Sequence, residues 1–306
     1  MGRWETIKTV LAIVLGMAVL GTGAYFLNKA FLQYNPSKPT AAKVRAMERW
    51  IPEKADAIVI ADVHQLRSEP AVFPHMSDLI KKITKDQASA DAMSLERTGL
   101  VALIAEFKEQ QKPMLAYIMQ GHFDRDTLIA TLKKVAAENG LPMEEHVVAG
   151  TMLYTEKGHQ PEFAFTFLDG EHAAFGNRTV LEDMIVPRDP QHKSTLANTE
   201  SWVFGHVYLR DRLKKGLPPQ FADLTEVQFA SKDGKAVEAF IPSTSLLQAQ
   251  AVELFLSGAR AWMTLQNQED AVSMQALNTI VFQSDGAGLH AHADLPALIE
   301  LLRRQF

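Results

Sequence analysis

The chain has no cysteine, which excludes a disulfide-stapled scaffold. Glycine and proline are sparse, 17 and 14 of 306 residues, and this removes the collagen-like and low-complexity classes. Positive charge is not in excess. With 31 bases against 36 acids the net charge is −5, so there is no basic footprint for nucleic acid. Local signatures of nucleotide and hydrolase chemistry are missing too. No GxxxxGK[ST] loop occurs, no GxGxxG follows a strand pattern, and there is no GxSxG elbow, HExxH pair or EF-hand loop. No motif calls for a nucleotide or a cofactor. What is present is a chain that is 47% hydrophobic and 22% charged, enough apolar surface to fold as one large domain or two small ones.

The first organising feature follows a short tail, 1–8. Residues 9–27 read TVLAIVLGMAVLGTGAYFL, nineteen positions without a charge. As a helix that is about 28 Å, close to the thickness of a bilayer's hydrocarbon core. Trp4 precedes it, Tyr25 and Phe26 close it, and Lys8 and Lys29 bracket it as snorkelling charges. A cleaved signal peptide is the competing reading, with Thr22-Gly-Ala24 as a small-residue cleavage site. The apolar run continues past Ala24, which favours an uncleaved signal anchor in the inner (cytoplasmic) membrane. Orientation is contested within the sequence. Lys29, Lys38, Lys43, Arg45 and Arg49 follow the span and would hold the body inside. The early position of the span and the absence of thiols point to a periplasmic body, on the outer side, and that is the expectation adopted.

A stalk and connecting helix fill 28–55. YNPSKPT at 34–40 reads as extended, and 41–50 places Val44, Met47 and Trp50 three apart ahead of Pro52. Beyond it, three segment pairs recur in the same order. DAIVIADVHQLR at 56–67 matches ESWVFGHVYLRDR at 200–212. A strand–turn–strand–helix pattern at 101–134 matches 225–256. A strand, Asp-Gly turn, strand and short helix at 165–185 matches 280–302. The expected organisation is α+β: one repeat at 56–185, a linker at 186–199 and a second repeat at 200–306. Each would be an antiparallel sheet with helices packed on one face. An extra hairpin at 144–157 belongs to the first repeat alone. One long sheet and two separate sheets both remain open.

Chemistry-bearing candidates are few. His290, His292 and Asp294 alternate with alanines, so on a strand all three share a face and could hold zinc or iron. Against this, such alternation is usual for the solvated face of an edge strand, and Asp294 before Leu-Pro suits a helix cap. His122 and Asp124 open a helix, where Asp124 is a natural cap. His64 and His206 lie in the matched first strands. Asn177-Arg-Thr179 is formally a glycosylation sequon but also suits a helix N-cap.

The helix expected at 245–267 stands apart, because between Leu246 and Leu265 its only charges are Glu253 and Arg260. Its apolar residues wrap most of the circumference. It is either a central buried helix or one with a side left open for a partner, and Leu247, Leu254, Phe255, Leu256, Trp262 and Met263 are the partner-binding candidates. The leading expectation is a membrane-anchored binding or scaffolding protein with a protein partner in the envelope. The alternatives are a metal-dependent hydrolase using His290, His292 and Asp294, and a lipid or small-molecule carrier using a cleft between repeats.

The anchor carries the first prediction. The full chain should fractionate with membranes and resist carbonate extraction. A reporter phosphatase that folds only after export should be active when fused after Phe306. Native full-length protein in the soluble fraction would overturn the anchor, and an inactive phosphatase would reverse the orientation.

Overall fold

The computed structural model describes residues 40–62, 98–107, 114–121, 123–138, 140, 142–156, 162–186, 201–214, 217–268 and 270–303. The apolar run at 9–27, the stalk, His64, His122 and nearly all of the linker lie outside these residues. Among the described residues no helix is long and apolar enough to cross a membrane.

The elements run in chain order from α1 (Thr40–Glu48) to β1 (Ala57–Asp62), β2 (Thr98–Glu106), β3 (Met114–Gly121) and α2 (Arg125–Glu138). A hairpin of β4 (Met143–Val148) and β5 (Thr151–Glu156) precedes β6 (Phe163–Phe167), β7 (His172–Asn177) and α3 (Arg178–Ile185). The second half holds β8 (Val203–Tyr208), a short α4 (Asp211–Lys214), β9 (Glu226–Ser231) and β10 (Ala236–Pro242). It ends with α5 (Leu246–Gln266), α6 (Ala271–Thr279), β11 (Val281–Ser284), β12 (Gly288–Asp294) and α7 (Leu295–Arg303).

The twelve strands of the described residues join one antiparallel sheet, in the order β11-β12-β10-β9-β8-β1-β2-β3-β7-β6-β5-β4. The two halves therefore share a sheet, and the contact between them is the β1–β8 pair, with Ala57 opposite Val207 and Ile60 opposite Phe204. Outward from that pair the order is β1-β2-β3-β7-β6 on one side and β8-β9-β10-β12-β11 on the other. The β4–β5 hairpin extends only the first side.

Helices cover both faces, not one. On the first face lie Ala57, Val59, Val101, Leu103, Val203 and Val207, and over them pack Leu128 of α2, Val252 of α5, and Phe221 and Leu224 from the β8–β9 connection. On the second face Ile58, Ile60, Leu100, Ile104 and Phe204 pack under Val44 and Met47 of α1 and Val180, Leu181 and Met184 of α3. The reason lies in β1 and β2. AIVIAD and TGLVALIAE are continuous apolar runs rather than alternating ones, and such strands must be buried on both sides. Further out the second face turns polar. Glu238, Gln283, His290 and His292 are exposed there, and α6 and α7 pack instead with Ala293 and Phe282, beside Val237 on the first face.

Asp56, fully buried, fastens the centre. Its N–H donates to Ala105 O (2.9 Å) and its carbonyl accepts from Tyr208 N (2.7 Å). Its Oδ2 accepts from Phe107 N (2.7 Å), and Arg210 Nε lies 3.5 Å from Oδ1. One residue thus ties the end of β2 and the end of β8 to the start of β1.

Gly205 is the tightest point of the seam. A Cβ there would lie 2.3 Å from Ile58 O and 2.5 Å from the Phe229 ring that covers it from the next strand. Gly205→Ala should destabilise the fold by roughly 1–3 kcal/mol through overpacking. Gly258→Ala, where nothing lies within 4 Å, should stabilise α5 by about 0.5–1 kcal/mol. Denaturant titration of the two variants checks this, and equal effects would sink it.

Candidate functional site

The side chains of α5 divide cleanly. Ser245 caps its start, Oγ accepting from Gln248 N at 3.2 Å, and Asn267 closes its end. The inward side carries Ala249, Val252 and Ala259, all buried, and Phe255 meets Phe221 edge-on at 5.3 Å between ring centroids. Both charges are used on this side of the helix. The Glu253 carboxylate accepts from Ser284 N (2.9 Å) and from the Ser284 hydroxyl. The Arg260 guanidinium donates to Ile280 O. The two ends of β11 are thereby pinned to the helix.

With its charges turned in, the outward side of α5 is left without any. Leu247 is 78% exposed, Leu254 77% and Leu265 63%, and Gly258 and Ala261 between them are exposed as well. The partner-binding candidates from the sequence fall on different sides. Leu247 and Leu254 face out. Phe255 and Leu256 pack against the main core, Met263 packs against the α6–α7 cluster, and Trp262 is half-buried. Leu265 belongs with the outward pair although the candidate set left it out. A seven-residue spacing brings 247 and 254 together, and 256 and 263 together.

The metal candidates share the second face of β12, opposite Phe240 (His290), Glu238 (His292) and Ala236 (Asp294). They do not converge. Asp294 caps α7, its Oδ1 accepting from Ala297 N at 2.8 Å. The His290 ring lies 4.8 Å from that of Phe240, and its Nε2 is 3.0 Å from Asp285 Oδ2. Among the described residues no group of three or more His, Asp or Glu side chains is placed to hold a metal ion. Nor is β12 an edge strand, since β11 lies outside it. Asn177 caps α3, accepting from Thr179 N at 3.0 Å. His206 is buried beside Glu226, 3.2 Å from Nδ1 to Oε2.

Sequence reasoning missed a pairing between half-buried Asp169 and buried His172. Asp169 Oδ1 accepts from Glu171 N and His172 N, both at 2.8 Å, and the His172 Nδ1 lies 2.8 Å from it. His172 is 2% exposed, and its Nε2, like the Oε1 of its cross-strand neighbour Gln120, has no hydrogen-bond partner among the described residues. The β11–β12 turn repeats the arrangement. Asp285 Oδ1 accepts from Ala287 N (2.8 Å) and Gly288 N (3.0 Å), with His290 on its other oxygen. A third Asp-Gly turn, between β9 and β10, has Asp233 accepting from Lys235 N at 2.9 Å. The readable signal was the Asp-Gly dipeptide followed within a few residues by histidine.

The chain matches no family model, and neither the curated proteins nor the solved structures include one similar to it.

These turns set an acid limit on stability. Burial pushes the Asp169 carboxyl up, but the hydrogen bonds from Glu171 N and from His172 outweigh it and leave it below its ordinary value. The N–H groups of Lys235 and of Ala287 hold Asp233 and Asp285 low as well. A carboxylate whose pKa is lower in the folded state stabilises the fold above the unfolded value, about 4. That contribution disappears as pH falls through the lowered folded values. The melting temperature should therefore drop below about pH 4. Asp169→Asn and Asp285→Asn, which keep the acceptor oxygen and lose the charge, should flatten that drop. An unchanged slope in both variants would exclude these carboxylates as its origin.

Proposed function

We propose that this is a membrane-anchored envelope protein that binds or scaffolds another envelope component. Residues 9–27 would be the single span, and the body would be two tandem α+β repeats on the periplasmic side. The outward side of α5 would be the docking surface. The observation that carries the reading is the uncharged row of exposed leucines on a helix whose two charges are both spent inward. Scattered exposed leucines are ordinary on a soluble surface, whereas a contiguous row along one helix marks an interaction site. The three matched segment pairs support the duplication, and so does a strand order that unfolds in parallel fashion on either side of β1–β8.

Four aspartate substitutions test the surface. Leu247→Asp and Leu254→Asp should leave the melting temperature nearly unchanged and abolish recovery of the bound component from membranes in mild detergent. Leu256→Asp and Met263→Asp put a charge against packed apolar groups and should cost on the order of 3 kcal/mol or more. Equal destabilisation by all four would make α5 a purely structural helix. Undiminished recovery with the first two would move the docking surface elsewhere.

A further inference from the structure

We propose that the component meeting the outward side of α5 is the same side of a second copy of this chain, packed antiparallel across a two-fold axis. This rests on the reading of that side as a docking surface and names its occupant. Exposed positions 247, 254, 258, 261 and 265, with half-buried Ala251 between the first two, follow each other at intervals of four and three. That spacing keeps a seam facing a partner helix along its whole length.

The residues in the seam identify the partner. Leu247 and Leu265 each lie nine positions from Leu256, Ala251 and Ala261 five, and Leu254 and Gly258 two. Turned antiparallel about that centre, the row meets itself as leucine on leucine, alanine on alanine, and leucine on glycine. An isologous interface requires this reciprocity, because whatever residue i meets in the partner must meet i in return. Space permits it as well: nothing lies within 4 Å of a Cβ placed on Gly258, so the notch is open to take the partner's Leu254. Charge permits it too. Glu253 and Arg260 are engaged inward, and the positions flanking the seam, Gln250, Ser257 and Thr264, bring no like charges together.

Area sets the strength. A strip about 27 Å long and 10 Å wide is well short of the roughly 800 Å² per partner of a standard interface. The dimer is therefore weak in dilute solution and is favoured where copies are confined together in one membrane, which raises their effective concentration. A two-fold axis perpendicular to α5 can lie along the membrane normal, so both copies enter the same bilayer from one side.

Because the chain has no cysteine, introduced thiols are the only ones present. Leu247→Cys and Leu265→Cys are made in the full-length chain with different tags, expressed singly and together, and oxidised mildly in membranes. The expected result is a disulfide-linked dimer only when both variants are present. Identical positions would lie about 27 Å apart along the helix axes, far beyond disulfide reach. Cross-linking of either variant with itself would overturn the antiparallel arrangement, and no cross-linked dimer in any combination would overturn the second copy as occupant. Gly258→Lys, at a position with room, should not lower the melting temperature and should reduce the mixed cross-link at least tenfold; an unchanged yield would also overturn the proposal. Carbonate extraction of the same samples reads the anchor separately. Loss of recovery in Leu254→Asp without any cross-link would retain a docking surface while rejecting a second copy.

Discussion

The pairing of β1 with β8 is the constraint on which the rest of the structure depends. Each half contributes one strand to it, and those strands sit at the middle of a twelve-strand sheet with cores on both faces. A slip of one residue would move Val59 and Ile60 to opposite faces and undo both cores at once. Two devices hold the register. Asp56 gathers the ends of β2 and β8 through its backbone and carboxylate, and Gly205 admits the Phe229 ring only at the aligned position. Both sit within or beside the seam, where an error would cost most.

Coverage of the faces follows from that centre. Near β1 and β2 both sides are apolar, so α1 and α3 must lie on one and α2 and α5 on the other. Toward β11 the second face carries Glu238, Gln283, His290 and His292, and a helix placed there would bury charge without a partner. The corresponding terminal helices consequently lie on opposite sides, α3 over the second face and α7 beside the first. Once α6 and α7 also occupy the first face, α5 is anchored by its Glu253–Ser284 and Arg260–Ile280 contacts. Its other side has nothing left in the described fold to meet.

Local chemistry was legible in the sequence, and long-range pairing was not. Asn177, Ser245 and Asp294 cap the helices expected of them, because a cap is decided by residues three or four apart. The Asp-Gly turns were legible for the same reason. Val44, Met47 and Trp50 read as a buried stripe and are one. That β1 would pair with β8 could not be read, since any two unpaired apolar strands satisfy each other's hydrogen bonds equally well. The Asp169–His172 pair was overlooked because the segment FAFTFLDGEHAAF was read only as strand, Asp-Gly turn and strand, and its apolar residues drew attention to packing. On α5 the heptad interval separated Leu247 and Leu254 from Leu256 and Met263, but which pair faces the sheet depends on where the sheet is.

The outer parts of the two halves differ most, and this bears on where function can reside. Residues near β1–β8 are held by two cores and by the Asp56 network, so change there threatens the whole sheet. At the periphery the first half adds the β4–β5 hairpin, while the second replaces it with α6 and bares one side of a long helix. The equivalent helix in the first half, α2, carries Lys133 paired with Glu145 of β4 and placed over the Tyr154 ring. The extra hairpin thus contacts the side of α2, whereas α5 has no such hairpin. The two sides of the sheet thus differ at their outer ends, one closed by a hairpin and the other by helices. That asymmetry leaves α5 with an outward side that is apolar and uncharged among the described residues, on a sheet whose centre has no freedom to present one.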